Sequence, residues 1–157
     1  MKRVLFVCSG NICRSPMAEF VFREMARRRR LADAVDCESA GTNVFAPNSP
    51  VHNGTVRQLR QENIPYYQRG SRNVTASDYG RFDYLLGMER SHVAAMERQL
   101  GGDPEGKMRR LLDFTRCPRD IDDPWYTGDF VTAYRDIEAG CAALLDEMFP
   151  GSGEKKR

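Results

Sequence analysis

The fold of this chain is decided near its start, by Val4-Leu5-Phe6-Val7-Cys8-Ser9-Gly10-Asn11-Ile12-Cys13-Arg14-Ser15-Pro16. Residues 4–7 are too few for an ordinary helix, and their β-branched and aromatic side chains are typical of a buried strand. Pro16 favours an early helical position, where its missing N–H would have no partner in any case. The stretch therefore predicts a strand, a tight loop and a helix N-terminus in direct succession.

Short strand-like runs and amphipathic helices alternate along the rest of the chain. We predict further strands at 35–41, 82–88 and within 108–114, and helices at 16–30, 51–63, 74–79, 89–99 and 130–149. This alternation is typical of an α/β fold with a parallel sheet. Ligands of such sheets bind outside the carboxyl ends of the strands, so Cys8, Ser39, Glu89 and the loop after the fourth strand are expected at one edge.

The composition is that of an ordinary globular protein. The chain has 157 residues, 41% of them hydrophobic and 29% charged, and its net charge is +2. We expect a single domain over residues 1–150 and a disordered tail over 151–157. The small net charge gives no reason to expect a nucleic-acid partner, and no apolar stretch reaches transmembrane length. A monomer or a weak dimer is expected.

Five cysteines occur at irregular spacings, at positions 8, 13, 37, 117 and 141. An odd number without a pattern argues against a disulfide framework, and the N-terminus lacks the pattern of a signal peptide. We therefore expect reduced thiols and a cytoplasmic location. A zinc site at Cys8 and Cys13 would need a second ligand pair, which neither the other cysteines nor His52 and His92 supply. Neither a metal nor another cofactor is expected.

The predicted loop suits a phosphate group. Backbone N–H groups and the positive end of a helix dipole would converge there, which favours an anion and the thiolate form of a cysteine. Arg14 carries a planar fork that binds two oxygens of an oxyanion. Gly10 allows close backbone approach, Asn11 tolerates positive φ, and Ser15 could hydrogen-bond the sulfur. Cys8 could instead be an inert packed residue, but its neighbours together favour a nucleophile at the floor of a phosphate cradle.

Cleavage of a phosphate ester also needs a proton donor. Asp122 and Asp123 lie in the stretch Ile121-Asp122-Asp123-Pro124-Trp125-Tyr126, within a long predicted loop over 115–129. A general acid contributes about 10²–10⁴ in rate. Asp-Pro is also a common start of a turn. The chemistry of the two carboxylates does not distinguish them, since either could point inward.

Three landmarks make the chain resemble the low-molecular-weight protein tyrosine phosphatases from Val4 to about Phe149. They are Val-Cys-x-Gly-Asn-Ile-Cys-Arg-Ser-Pro at residues 7–16, Ser39-Ala40-Gly41-Thr42 and Asp123-Pro124-Trp125-Tyr126. The resemblance implies a three-layer α/β/α fold around a four-stranded parallel sheet, with the phosphate-binding loop after strand one. It also implies a metal-independent hydrolase of phosphotyrosine in proteins, with a tyrosine kinase or its targets as candidate partners.

The resemblance also assigns roles to residues. Cys8 would be the nucleophile that forms a phosphocysteine, Arg14 would bind the phosphate, and Asp123 would act as general acid and then as base. The phosphate would also be held by the rest of the loop: Ser9, Gly10, Asn11, Ile12, Cys13 and Ser15. The substrate pocket would be lined by aromatic side chains: Phe45, Trp125 and Tyr126. In the family, the second loop cysteine can also trap the oxidised nucleophile as a reversible disulfide.

Support of the loop is the position where the chain departs from the family. The family frequently places a histidine where this chain has Arg69, three residues before the stretch Arg72-Asn73-Val74-Thr75. This leaves Asn11, Ser15 and Ser39 as the expected supporting residues.

Three other functions fit parts of the same pattern. Protein-arginine phosphatases of the same fold carry threonine at the position of Ile12, and isoleucine favours phosphotyrosine. A thiol-dependent arsenate reductase needs a resolving pair of cysteines after the third strand, and residues 85–100 contain none. A non-catalytic phosphate-binding module would be indicated by the loss of Cys8, Arg14 or the loop acid, all of which are present.

Overall fold

A computed structural model describes residues 1–153 of the chain. The sheet in this part has four parallel strands in the order β2-β1-β3-β4. The strands are β1 Lys2–Cys8, β2 Val35–Gly41, β3 Tyr84–Gly87 and β4 Met108–Arg110. The helices are α1 Arg14–Arg28, α2 Asn53–Gln61, α3 Asp78–Arg81, α4 Arg90–Leu100, α5 Pro124–Thr127 and α6 Phe130–Met148, and a 3₁₀ turn spans Leu111–Phe114.

Both faces of the sheet are covered by helices. Val4 and Phe6 of β1 belong to a core shared with α1, α2 and α6. Leu5 and Val7 point to the other face, where they pack with residues of α4. A central strand that is buried on both faces must be apolar at consecutive positions, as residues 4–7 are. The predicted three-layer α/β/α fold with a four-stranded parallel sheet is confirmed.

The helix predicted at 74–79 is displaced towards the C-terminus, to Asp78–Arg81. The carboxylate of Asp78 does accept hydrogen bonds from Thr75, at 2.8 Å from the backbone N. However, Asp78 is fully buried and also receives ion pairs from Arg72 and Arg81. The residues before it form a turn around this carboxylate, so the helix begins only at Asp78.

The region after α4 also differs from the prediction in detail. The strand expected within 108–114 ends at Arg110, and the chain continues as the 3₁₀ turn. The loop predicted over 115–129 contains the short helix α5, which has Pro124 at its first position.

The tail predicted to be disordered lies partly outside the described residues. Gly151–Gly153 form a turn, in which the Ser152 hydroxyl accepts a hydrogen bond from Arg29 at 3.1 Å. Residues 154–157 fall outside the part that the structure describes. Within residues 1–153, no helix is both long and apolar enough to cross a membrane.

Candidate active site

The carboxyl ends of the strands meet at one edge of the sheet, where a cavity of about 550 Å³ opens. This is the position at which open α/β sheets bind ligands. The cavity is lined by Cys8, Ser9, Gly10, Ile12, Cys13, Arg14, Phe45, Ala46, Ser49, Asp123, Trp125 and Tyr126. Three predicted site residues, Asn11, Ser15 and Ser39, are buried beneath the loop instead of lining the cavity.

The loop between β1 and α1 wraps around the sulfur of Cys8. The backbone N of Asn11 donates to Sγ at 3.3 Å, and Oγ of Ser15 lies 3.0 Å from the same sulfur. Asn11 has φ of +59°, a left-handed conformation that asparagine tolerates better than most side chains. The sulfur is thus held at the N-terminus of α1, where the helix dipole favours negative charge.

Gly41, at the end of β2, packs so closely against the backbone of this loop that it has no room for a side chain. The sequence did not reveal this contact. A Cβ at Gly41 would lie 2.4 Å from the carbonyl oxygen of Ser9. Gly10, by contrast, would meet only the side chain of Ile12, at 3.9 Å. The close backbone approach therefore occurs at Gly41, and its only signal in the sequence is the Ser-Ala-Gly-Thr stretch.

Asn11 is the centre of the hydrogen bonds beneath the loop. Its Nδ2 donates to Oγ of Ser15 at 2.8 Å and to Oγ of Ser39 at 3.1 Å. Its Oδ1 accepts from Arg69 Nη2 at 2.6 Å and from the backbone N of Arg72 at 3.0 Å. Asn11, Ser15 and Ser39 thus lie together, and Arg69 joins them from a distant loop.

Arg14 is almost completely buried, with 2% of its side chain exposed. Its Nη1 donates to Oε2 of Glu89 at 2.6 Å and to the carbonyl of Ile121, and its Nη2 lies 3.3 Å from Oδ2 of Asp123. Sequence reasoning placed Glu89 at this edge but gave it no role. Its only signal was its position directly after the third strand.

Asp123, unlike its neighbour, faces the cavity. Its Oδ1 accepts a hydrogen bond from the backbone N of Trp125 at 3.0 Å, so the residue also caps α5. Its Oδ2 is directed towards Arg14. Asp122 is exposed and does not line the cavity. Of the two carboxylates, Asp123 is therefore the one that can reach a bound phosphate ester.

Three aromatic side chains form the rim of the cavity: Phe45, Trp125 and Tyr126. All three are exposed, Phe45 completely. Trp125 is held by an edge contact with His52 at 5.5 Å between ring centroids, and His52 stacks on Phe130 at 5.3 Å. The backbone N of His52 donates to the carbonyl of Ile12 at 2.9 Å, so His52 connects the rim to the loop.

Cys13 lies beside Cys8 and is buried. Burial, reinforced by the negative charges of Cys8 and Asp123, raises the pKa of the Cys13 thiol to about 12. Cys13 is therefore a neutral thiol at physiological pH, in contrast to what a nucleophile would require.

Within residues 1–153, no three His, Cys, Asp or Glu side chains are grouped as a metal ion would require.

His92 supports Glu89 from the first turn of α4. Its Nδ1 accepts a hydrogen bond from the backbone N of Glu89 at 3.0 Å. Burial, together with the charge of Arg14, lowers the pKa of His92 to about 4. The imidazole is therefore neutral near pH 7, which is the form that can accept this hydrogen bond.

In this site, a cysteine sulfur and an arginine lie at the start of one helix, opposite the loop that carries Asp123. This arrangement defines the class of cysteine-based phosphatases. The model of one family in this class, low molecular weight phosphotyrosine protein phosphatase, matches residues 3–151. The chain belongs to this family and is an enzyme, a phosphoric monoester hydrolase whose substrates are phosphoproteins.

Similar proteins come from several bacteria. The chain is 37% identical to the low molecular weight protein-tyrosine-phosphatase YfkJ of Bacillus subtilis, over 92% of this chain and 94% of the relative. It is 34% identical to PtpA of Staphylococcus epidermidis over the full length of both. The crystal structure of YfkJ superposes with a TM-score of 0.90 and covers 100% of this chain and 98% of that one.

A more distant structural neighbour is the YwlE arginine phosphatase, solved as a mutant with a phosphorylated active site serine. It is 26% identical to this chain, with a TM-score of 0.81 over 95% of this chain and 97% of the other.

Proposed function

We propose that this enzyme hydrolyses phosphotyrosine in proteins through a phosphocysteine intermediate. The observation that carries the proposal is that Cys8, Arg14 and Asp123 line one cavity rimmed by aromatic side chains. Residues 1–150 would act as a single phosphatase domain.

In the first step, the loop N–H groups of residues 9–15 and the guanidinium of Arg14 bind the three non-bridging oxygens of the phosphate. The Cys8 thiolate attacks phosphorus in line with the ester bond, and an S–P bond forms. The P–O bond to the tyrosine breaks, and its electron pair stays on the phenol oxygen. Asp123 delivers a proton to that oxygen, so tyrosine leaves as a neutral phenol.

In the second step, the Asp123 carboxylate accepts a proton from a water molecule whose oxygen attacks phosphorus. The S–P bond breaks, inorganic phosphate is released, and the electron pair returns to the sulfur of Cys8. The Ser15 hydroxyl, 3.0 Å from the sulfur, can donate to the thiolate as it leaves.

The rim supports an aromatic substrate. Phe45 and Trp125 can contact a phenyl ring from two sides, and aromatic pairs contribute about 0.5–1.5 kcal/mol beyond area burial. Ile12 in the loop supports the same choice, since arginine phosphatases of this fold resemble this chain but carry threonine there. The similarity to YwlE makes phosphoarginine the second candidate substrate.

We also propose a cellular context for this enzyme. Tyrosine kinases or their targets are the proposed partners, and the cytoplasm is the proposed location. The five cysteines are all free, which supports a reducing compartment. A monomer or a weak dimer is the proposed oligomeric state.

A panel of phosphotyrosine, phosphoserine and phosphoarginine peptides of one sequence tests the proposal. We expect kcat/KM to be highest for phosphotyrosine and turnover to be abolished in Cys8→Ser. Rapid acid quenching of the wild-type reaction should trap phosphate on the Cys8 peptide, identified by mass spectrometry. Preference for phosphoarginine would assign the second candidate substrate instead, and equal activity of Cys8→Ser would exclude the mechanism.

A further inference from the structure

We propose that Arg69 is a positioning residue: it sets the direction of the hydrogen bonds beneath the phosphate loop, so that Ser15 donates its hydroxyl hydrogen to Cys8. The inference rests on the proposed function in taking Cys8 as the nucleophile. It concerns a residue that lies 58 positions along the chain from the loop it contacts.

Arg69 binds the loop at two points of a single residue. Its Nη2 donates to Oδ1 of Asn11 at 2.6 Å, and its Nη1 donates to the main-chain carbonyl of Asn11 at 3.1 Å. The Arg69 side chain is 14% exposed, and its Nη2 also donates to the carbonyl of Ser39 at 3.4 Å. Two hydrogen bonds from one planar fork fix both the side chain and the left-handed backbone of Asn11.

These contacts determine which way the Asn11 amide faces. A guanidinium and a backbone N–H can only donate, and both Arg69 and Arg72 approach the same atom of Asn11. That atom must be the oxygen, because the NH₂ group would point hydrogens at two donors. The amide nitrogen is therefore directed towards Ser15 and Ser39.

The orientation of the Asn11 amide determines which hydrogen bonds both serines can make. Ser39 accepts from Asn11 and donates its own hydrogen to Oε1 of Glu19 at 2.6 Å. Ser15 accepts from Asn11, so its single hydrogen can go only to Sγ of Cys8 at 3.0 Å or to the carbonyl of Ala40 at 3.3 Å. A thiolate accepts only, and a bond to a charged acceptor is the stronger one, so ionised Cys8 receives the hydrogen.

The positive charge of Arg69 supports the same arrangement, because it attracts the negative charge of an ionised Cys8. The ionisable groups that face it are Glu19 from α1, Cys8 from the end of β1, and Tyr67 and Arg72 from its own loop. Glu19 Oε1 lies 3.8 Å from its Nε. Burial lowers the pKa of Arg69 below that of a free arginine. A guanidinium nevertheless remains charged throughout the working range of the enzyme, so the support of the loop does not titrate.

Alkylation of Cys8 by iodoacetamide as a function of pH tests the proposal without any need for phosphatase activity. The reaction is followed by mass spectrometry on the Cys8 peptide, because the exposed Cys117 is also alkylated. In Arg69→Met we expect the pH midpoint of alkylation to rise by about one unit, since a charge-assisted hydrogen bond and its polarity are lost. We also expect kcat on p-nitrophenyl phosphate to fall about tenfold or more, with a smaller change in KM.

Arg72→Met is the matched control. Arg72 lies in the same loop and is also partly buried, but its side chain pairs with Asp78 and Glu38, and only its backbone N contacts Asn11. Its variant should keep the wild-type alkylation midpoint even if stability falls. Equal shifts in the two variants, or no shift in Arg69→Met, would overturn the proposal.

A double-mutant cycle tests whether Arg69 influences Cys8 through the Ser15 hydroxyl. If Arg69 acts through the Ser15 hydroxyl, Arg69→Met should add little to the shift that Ser15→Ala already causes, whereas additive shifts would overturn that route. Should Arg69→Met fail to fold, Arg69→Lys takes its place, because lysine keeps the charge but lacks the planar fork. A smaller upward shift is then expected, and a wild-type midpoint contradicts the proposal. Absence of phosphotyrosine turnover in the wild type would refute the proposed function but leave the alkylation result interpretable.

Discussion

Arg14 and Glu89 form an ion pair of 2.6 Å that ties the first helix to the start of α4. Arg14 is almost completely buried, so the carboxylate of Glu89 compensates a positive charge that is largely shielded from water. The pair also holds one nitrogen of the guanidinium, which leaves the other directed towards Asp123. The fork is thereby oriented before any phosphate arrives, and orientation of this kind reduces the cost of binding.

Replacing Glu89 should lower the activity and the stability of the enzyme and weaken its binding of phosphate. In Glu89→Gln, we expect kcat/KM to fall about tenfold and the free energy of unfolding to fall by about 1–3 kcal/mol, because a buried charge loses its partner. The fork of Arg14 is no longer held in place, so phosphate binds more weakly, and a fixed high concentration of phosphate should raise Tm less in the variant than in the wild type. Glu97→Gln, at an exposed position of the same helix, is the control. An equal phosphate-induced rise in Tm for Glu89→Gln and wild type would contradict the expectation.

The general acid can be assigned by comparing neighbouring carboxylates. In Asp123→Asn, we expect kcat on phenyl phosphate to fall by about 10²–10⁴, and by less on p-nitrophenyl phosphate, whose leaving group needs less protonation. Asparagine is a good N-cap, so α5 should persist. Asp122→Asn should retain turnover on both esters. A larger loss in Asp122→Asn than in Asp123→Asn would show that the assignment is wrong.

Stability should fall on acidification because of His92. The pKa of its imidazole is lowered from the ordinary value of 6.5 to about 4, so between these values the unfolded chain binds a proton that the folded chain does not. The contribution of His92 to the free energy of unfolding is therefore fully present above about pH 6.5 and is lost as the pH falls towards about 4. We expect a loss of about 1 kcal/mol at about pH 5.5, measured by urea unfolding.

His92→Gln isolates this contribution from that of the carboxylates. Glutamine at this position can still accept from the backbone N of Glu89 but does not titrate. The unfolding free energy of the wild type minus that of the variant should therefore rise with pH between about 4 and 6.5 and change little outside this range. A difference that is constant over this range would show that His92 is not the group responsible.

Gly41 should tolerate no side chain, because its Cβ would be 2.4 Å from the Ser9 carbonyl. In Gly41→Ala, the backbone of the phosphate loop must shift, and we expect a loss of about 1–3 kcal/mol in stability. Turnover should fall as well, since the N–H groups of the loop move. Gly80→Ala is the control, because a Cβ there meets nothing within 4 Å. It should be neutral or slightly stabilising by circular dichroism melting, and equal Tm losses in the two variants would contradict the argument.

The sequence alone determined the strand, the loop and the helix start of residues 4–16, with Cys8 and Arg14 at the two ends of the loop. These features are local: an apolar run, a glycine, an asparagine that tolerates positive φ and a helix-starting proline act on neighbouring residues. The alternation of strands and helices likewise predicted the parallel sheet. Neither needs knowledge of which distant segments meet.

Only the tertiary structure decided what surrounds the loop. Glu89 lies 75 residues from Arg14, and Arg69 lies 58 residues from Asn11. These contacts depend on the order of the strands and on where each connecting segment leaves the sheet, and no local sequence pattern encodes either. The chemistry of Asp122 and Asp123 did not distinguish them in the sequence, and only the resemblance favoured Asp123. The cap of α5 is what turns Asp123 towards the cavity. Local chain chemistry thus determined the phosphate cradle, whereas long-range packing decided which charges orient it.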